Sequence, residues 1–208
     1  GRDFAEVLDE AQSLGYAEAN PRTDIDGFDT AHKLAIVTSV AFGCPVDFDG
    51  VFVEGIRNIT AQDIEFAAEL GYRIKLLGIT SKKEGGIEQR VHPCMVDADQ
   101  PIAQVRGVLN AVVAEGDFVG RTVFEGAGAG ERPTASAVVA DLIDIARGTA
   151  APPFAVPVSE LSDHNLRPME LREGAYYVRL IVRDQPGVLA DVARVFSEEG
   201  VSIESVMQ

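Results

Sequence analysis

The chain has 208 residues, of which 46% are hydrophobic and 25% are charged, and both values are ordinary for a globular protein. This composition excludes disorder, collagen and a coiled coil as descriptions of the whole chain, and the length predicts one or two domains. Thirty-three acidic residues against eighteen basic ones give a net charge of −15, which would repel phosphate groups. We therefore expect neither nucleic acid nor a membrane as the main partner.

Three helices are predicted in the first third of the chain. They cover residues 3–14, 28–42 and 60–71. The first shows apolar residues at helical spacing and ends at Gly15, and the second has Asp29 in its first turn and is followed by Gly43. Thr60 and Asp63 have the spacing of a capping box at the start of the third. The segment 16–27, which is rich in turn-forming residues, is predicted to be a loop.

A change of period follows, and four segments rich in Val and Ile are predicted strands. They cover residues 73–80, 87–96, 107–114 and 118–124. The glycine-rich turn 126–130 leads into a helix whose predicted first residue is Pro133 and whose end lies near Arg147. The fold class is therefore α/β, of the mixed α+β kind, with a mostly β sheet covered by helices.

The last quarter of the chain differs in composition. Residues 148–172 hold four of the ten prolines and are predicted to be a linker. A strand over 176–183, an amphipathic helix and a strand over 201–207 then form a β-α-β unit, which cannot bury both of its faces alone. The predicted division is a domain over 1–147, a linker over 148–172 and a partial domain over 173–208.

The densest group of polar side chains lies in and after the predicted loop. Glu18, Asp24 and Asp26 precede the second helix, where Asp29 and Lys33 are four residues apart and share a face. Three carboxylates near one lysine could bind an ammonium group while the lysine moves a proton. The alternative is a surface ion pair beside an acidic turn, with Asp26 acting only as a helix cap.

The remaining polar motifs are weaker. The glycine turn 126–130 does not match the spacing of a dinucleotide-binding fingerprint, and it is equally compatible with a tight turn. His92 is predicted to be a structural histidine in a strand. Cys44 and Cys94 do not form a disulfide framework, so we expect a reducing, cytoplasmic setting. The histidines and cysteines lack the spacing of metal ligands, so no metal site is expected.

One long run of residues resembles a known family. Residues 11–33, AQSLGYAEANPRTDIDGFDTAHK, closely resemble the signature of homoserine dehydrogenase. The resemblance extends over about 1–147, through Glu54-Gly55-Ile56, His92-Pro93 and the turn 126–130. Residues 184–203 resemble the front half of an ACT domain, a small module that binds amino acids.

The resemblance implies a function and a set of site residues. The family interconverts homoserine and aspartate semialdehyde with NAD or NADP. Lys33 matches the lysine that exchanges a proton with the substrate oxygen, and Asp29 matches the residue that holds this lysine and the substrate. Glu18 and Asp24 match residues near the substrate amino group. Gly15 and Tyr16 match residues at the edge of substrate and cofactor, and Gly130 matches a glycine that contacts the nicotinamide.

The family also sets expectations about what lies outside these residues. Its N-terminal nucleotide-binding half has no counterpart here, so we expect a fragment that does not turn over homoserine alone. The ACT-like unit suggests feedback by threonine, and the apolar sheet suggests a homodimer or a higher homo-oligomer. Two other interpretations stay open, namely a non-catalytic amino-acid sensor and a purely structural dimerisation domain.

Overall fold

The computed structural model describes residues 4–13, 20–149 and 151–208. They divide into two compact units, Gly1–Glu173 and Gly174–Gln208. The first unit is a mixed α/β structure with eleven described α-helices and β-strands, followed by two short 3-10 helices over Val158–Glu160 and Met169–Leu171. In chain order the eleven are α1 (Phe4–Ser13), α2 (Arg22–Ile25), α3 (Phe28–Phe42), β1 (Phe52–Val53), α4 (Ala61–Glu69), β2 (Tyr72–Lys83), β3 (Gly86–Asp97), α5 (Pro101–Gln104), β4 (Leu109–Gly116), β5 (Gly120–Ala127) and α6 (Glu131–Arg147).

Helix α3 has the predicted bounds and forms the centre of the helical layer. Its buried residues are Ala31, Leu34, Ala35, Thr38 and Ser39, which recur at helical spacing on one face. Gly27 before it and Gly43 after it both have positive φ, at 83° and 64°. Glycine adopts this conformation without steric cost, so the chain turns sharply at both ends of α3.

A three-stranded sheet in the order β1-β3-β2 lies beneath α3 and α4. Strands β2 and β3 form a long antiparallel hairpin, from Tyr72 opposite Asp97 to Lys83 opposite Gly86, and β1 pairs with β3 in parallel. The core between sheet and helices consists of Ala31, Leu34, Ala35, Val51 and Val91. This burial of apolar surface holds α3 in a fixed position above β3.

Strands β4 and β5 form a separate two-stranded ribbon, which leads into α6. Helix α6 begins at Glu131, two residues before the predicted start at Pro133, because Gly130 with φ of 114° is its N-cap. Gly126 and Ala127, predicted to lie in the turn, are the last residues of β5. No described residue of α6 is buried, and Val112, Phe124 and Leu142 are about half exposed or more.

The segment 148–172, predicted to be a linker, is anchored to the sheet near its end. The Ile87 N–H donates to the Asn165 carbonyl over 2.8 Å, and the Arg167 N–H donates to the Ile87 carbonyl over 2.8 Å. Arg167 also pairs with the buried Glu88 carboxylate at 3.7 Å. These contacts attach the segment to β3, and the predicted domain bounds remain a prediction.

The second unit contains the predicted helix, α7 (Val188–Glu198), with Gly187 as its N-cap. Strands are predicted over 176–183 and 201–207, but among the described residues of this unit neither segment belongs to a hydrogen-bonded ladder, so neither forms the predicted strand. A β-strand forms only when its backbone hydrogen-bonds to a neighbouring strand. In a split β-α-β unit a further strand lies between the two parallel ones, and residues 174–208 contribute none.

Candidate active site

Asp29 and Lys33 form the ion pair that their spacing predicts. The Lys33 Nζ donates to Asp29 Oδ2 over 2.6 Å, across one turn of α3. The side chains are 65% and 44% exposed, on the face of α3 opposite to the core. An exposed i,i+4 pair contributes little to the free energy of folding. The two charges are therefore held together at the surface, where a solute can reach them.

The acidic segment before α3 differs in part from the prediction. Residues 22–25 form α2, a single helical turn that propensity and periodicity do not indicate, and Asp24 is exposed on it. Asp26 does not cap α3, because Gly27 is the N-cap and no side chain accepts from the first turn. The carboxylate of Asp26 is instead occupied by Arg57.

The pair between Arg57 and Asp26 is bidentate. The Arg57 Nε donates to Asp26 Oδ1, and an Arg57 terminal nitrogen donates to Asp26 Oδ2 over 3.0 Å. These hydrogen bonds, with a smaller contribution from the charge of Arg22, lower the pKa of Asp26 below its ordinary value. Between Asn20 and Gly27 the other carboxylate is that of Asp24, which is exposed and could meet a cationic ligand.

Sequence reasoning did not identify Arg57 as part of this site. It lies 31 residues after Asp26, in the segment that follows β1. A lone arginine between two predicted helices has no spacing signal that connects it with an acidic residue so distant. The neighbouring Glu54-Gly55-Ile56 run was noted only as part of the family resemblance.

Three of the predicted site residues, Gly15, Tyr16 and Glu18, lie outside the described residues. Gly130 is on a separate element, where its carbonyl accepts from the Thr134 N–H over 3.1 Å at the start of α6. The structure thus brings Asp29 and Lys33 together and places α2, with Asp24, against α3. The roles of all seven residues remain predictions.

His92 and the two cysteines have the environments of structural residues. Arg90 Nε donates to His92 Nε2 over 3.1 Å, and burial lowers the pKa of His92. Burial also raises the pKa of Cys44 and of Cys94, so both favour the unreactive thiol. Within residues 4–13, 20–149 and 151–208, no group of three His, Cys, Asp or Glu side chains is placed to hold a metal ion.

The same described ranges contain no helix that is both long enough and apolar enough to cross a bilayer.

Comparison with known proteins assigns both parts of the chain to families. The homoserine dehydrogenase family model matches residues 1–143, and the ACT domain model matches residues 176–208. A homoserine dehydrogenase of Pseudomonas aeruginosa is 51% identical over the whole of this chain and 49% of its own length, and one of Neisseria gonorrhoeae is 47% identical over the same shares. The chain spans about half the length of the curated relatives that it matches.

Solved structures agree with this assignment. The crystal structure of a homoserine dehydrogenase from Thiobacillus denitrificans superposes with a TM-score of 0.85 at 46% identity, over 99% of this chain and 49% of that one. A hyperthermophilic archaeal homoserine dehydrogenase in complex with NADPH matches 71% of this chain with a TM-score of 0.59 at 30% identity. The class is thus an α/β domain of the homoserine dehydrogenase type followed by ACT-domain sequence. The chain belongs to the homoserine dehydrogenase family.

Proposed function

We propose that this chain supplies the substrate-binding half of an enzyme that interconverts L-homoserine and L-aspartate 4-semialdehyde. The observation that carries the proposal is the exposed Asp29–Lys33 pair at the start of α3, in which Lys33 Nζ lies 2.6 Å from Asp29 Oδ2. Oxidation of the alcohol removes a hydride from carbon and a proton from oxygen, so it needs a proton acceptor beside the hydroxyl group. Lys33, as the neutral amine, is that acceptor in our proposal, and its ammonium form returns the proton when the aldehyde is reduced.

The other residues bind and orient the substrate. Asp24 and Glu18 hold the substrate ammonium through charge-assisted hydrogen bonds. Tyr16 and Gly15 lie at the edge where substrate and cofactor meet. Asp29 keeps the Lys33 Nζ in place while the proton passes between that nitrogen and the substrate oxygen.

A nicotinamide cofactor, NAD or NADP, supplies the hydride acceptor when bound. The described residues contain no parallel β-α-β crossover with a glycine-rich turn, which is the unit that holds dinucleotides. We therefore propose that Gly15 and Gly130 contact only the nicotinamide end. We propose that the 208 residues alone do not turn over homoserine. We also propose that the whole enzyme acts in threonine and methionine biosynthesis in the cytoplasm.

The test joins this chain to the half of the Pseudomonas aeruginosa relative that it does not span. Reduction of NADP by homoserine is followed by absorbance, and Lys33→Ala is expected to lower kcat by about 10²-fold or more, the usual contribution of a general base. Lys82→Ala, an exposed lysine at the end of β2, is the matched control. Equal turnover of Lys33→Ala and the parent would contradict the proposal and favour the sensor interpretation.

We propose, in addition, that the ACT-like unit binds threonine as a feedback effector. The support is the family match over residues 176–208, together with α7 and the Asp184–Gly187 turn before it. Calorimetric titration of the same hybrid enzyme with threonine, and with alanine as the control ligand, tests the assignment. No heat with threonine would remove it without affecting the catalytic proposal.

We further propose that the first unit forms a homodimer. The support is the apolar surface of the β4–β5 ribbon and α6, where Phe124 is 63% exposed and Leu142 is 59% exposed. Apolar patches of this kind are commonly covered by a partner. Light scattering of the hybrid enzyme should give a dimer or larger, and Phe124→Glu should shift it towards the monomer. A monomeric parent would contradict the proposal.

A further inference from the structure

The segment Glu54–Arg57 supports the turn that connects α2 to α3. The Ile56 N–H donates to the Ile25 carbonyl over 2.9 Å, and the Glu54 N–H donates to the Val91 carbonyl over 2.8 Å. Val91 is fully buried in the centre of β3. Through these two bonds the turn before α3 is attached to the most buried strand of the sheet.

The backbones approach so closely at this point that only glycine fits. A Cβ on Gly55 would lie 2.2 Å from the Ile25 carbonyl oxygen and 2.6 Å from the Asp26 Cα. A Cβ on Gly27 would lie 3.2 Å from a methyl group of Val91. The turn is therefore packed on one side by residue 55 and on another by the core.

Arg57 extends this support to the charged surface. Its bidentate pair with Asp26 ties a side chain of the turn to the same segment that holds the turn's backbone. It also neutralises a carboxylate that stands two residues from Asp24 and three from Asp29. A guanidinium group makes such a two-point contact in a fixed geometry, which an ammonium group cannot reproduce.

We propose that Arg57 is a positioning residue, which sets the affinity for homoserine by holding Asp26 and so fixing the turn between Asp24 and Asp29. The inference rests on the proposed function, because it concerns the same substrate site. Without Arg57, Asp26 is an unpaired negative charge that competes with Asp24 for the substrate ammonium, and the turn is held by its backbone bonds alone. Binding weakens, while proton transfer at Lys33 continues.

The test is a double-mutant cycle on the hybrid enzyme described above. We expect Arg57→Gln to raise KM for homoserine about fivefold, a size typical of an exposed ion pair, with kcat changed by less than about twofold. Arg57→Lys should recover part of the affinity, since the charge is kept and the two-point contact is lost. Arg22→Gln removes an equal charge that acts on Asp26 without a hydrogen bond, and it should leave KM within about twofold.

The second arm of the cycle separates positioning from a general structural effect. In an Asp26→Asn background, Arg57→Gln should change KM by less than about 1.5-fold, because its partner is already gone. An equal change in both backgrounds would overturn the inference, as would a lower Tm with unchanged KM. A parent enzyme without homoserine turnover would overturn the proposed function and this inference together, whereas an active parent with unaltered variants overturns the inference alone.

Discussion

Replacement of Gly55 by alanine tests the packing that positions α3. The new Cβ would lie 2.2 Å from the Ile25 carbonyl oxygen, whereas ordinary contacts begin at 3.4 Å. This oxygen and the Asp26 Cα, the next nearest atom, both belong to the backbone, so rotation of a side chain cannot relieve the strain. The two segments must separate by roughly 1 Å, a shift that would lengthen the 2.9 Å bond from Ile56 to Ile25.

The expected cost follows from these two effects. Insertion of a methyl group into a tight contact costs about 1–3 kcal/mol, and loss of one backbone hydrogen bond adds about 1 kcal/mol. We therefore expect Gly55→Ala to lower the free energy of unfolding by about 2–4 kcal/mol. Urea denaturation of the 208-residue chain, followed by circular dichroism, measures it.

Two glycines serve as matched controls for this variant. Gly126 has open space around a Cβ position and no positive φ, so Gly126→Ala should be nearly neutral. Gly71 also has open space but a φ of 83°, so Gly71→Ala should cost about 1 kcal/mol from backbone strain alone. If Gly55→Ala were as stable as Gly126→Ala, the close contact that defines the turn would be absent from the folded protein.

Three further substitutions test the core, a helix cap and a partly buried histidine. Val91→Ala should lower the free energy of unfolding by about 2–3 kcal/mol in denaturant melts, whereas Val119→Ala, at an exposed turn, should change it by less than about 0.5 kcal/mol. Thr60→Ala removes the capping box with Asp63 and should cost about 1 kcal/mol by the same measurement, and no change would argue against the cap. Burial lowers the pKa of His92, so its neutral form stabilises the fold above its ordinary pKa, and this stability is lost as the pH falls through the lower folded value. Wild type should therefore lose Tm relative to His92→Gln below about pH 6.5, and parallel Tm curves would contradict this.

Local patterns were sufficient for the elements that depend on neighbouring residues. The bounds of α3 follow from apolar spacing and the flanking glycines, and the capping box from the three-residue spacing of Thr60 and Asp63. The Asp29–Lys33 pair depends only on the geometry of one helical turn. Short elements such as α2 and β1 were missed, because a stretch of two to four residues is too short to show a period.

The candidate site shows where local patterns end. Sequence alone identified the family resemblance and the acidic segment before α3, with Asp26 as either a ligand-binding carboxylate or a helix cap. Only the tertiary structure joined Asp26 to Arg57, brought Gly55 against Ile25 and attached Asn165 to Ile87.

The physical reason is the distance along the chain. A contact between residues one helical turn apart is set by the geometry of the helix, and the residue types predict the helix. A contact between residues 31 apart depends on how the helical layer packs on the sheet. Such a contact requires no particular pattern in the residues on either side, so the local sequence does not reveal it. The same holds for the strands predicted over 176–183 and 201–207, because a strand forms only when a neighbouring strand is in place, and the local sequence does not show that neighbour.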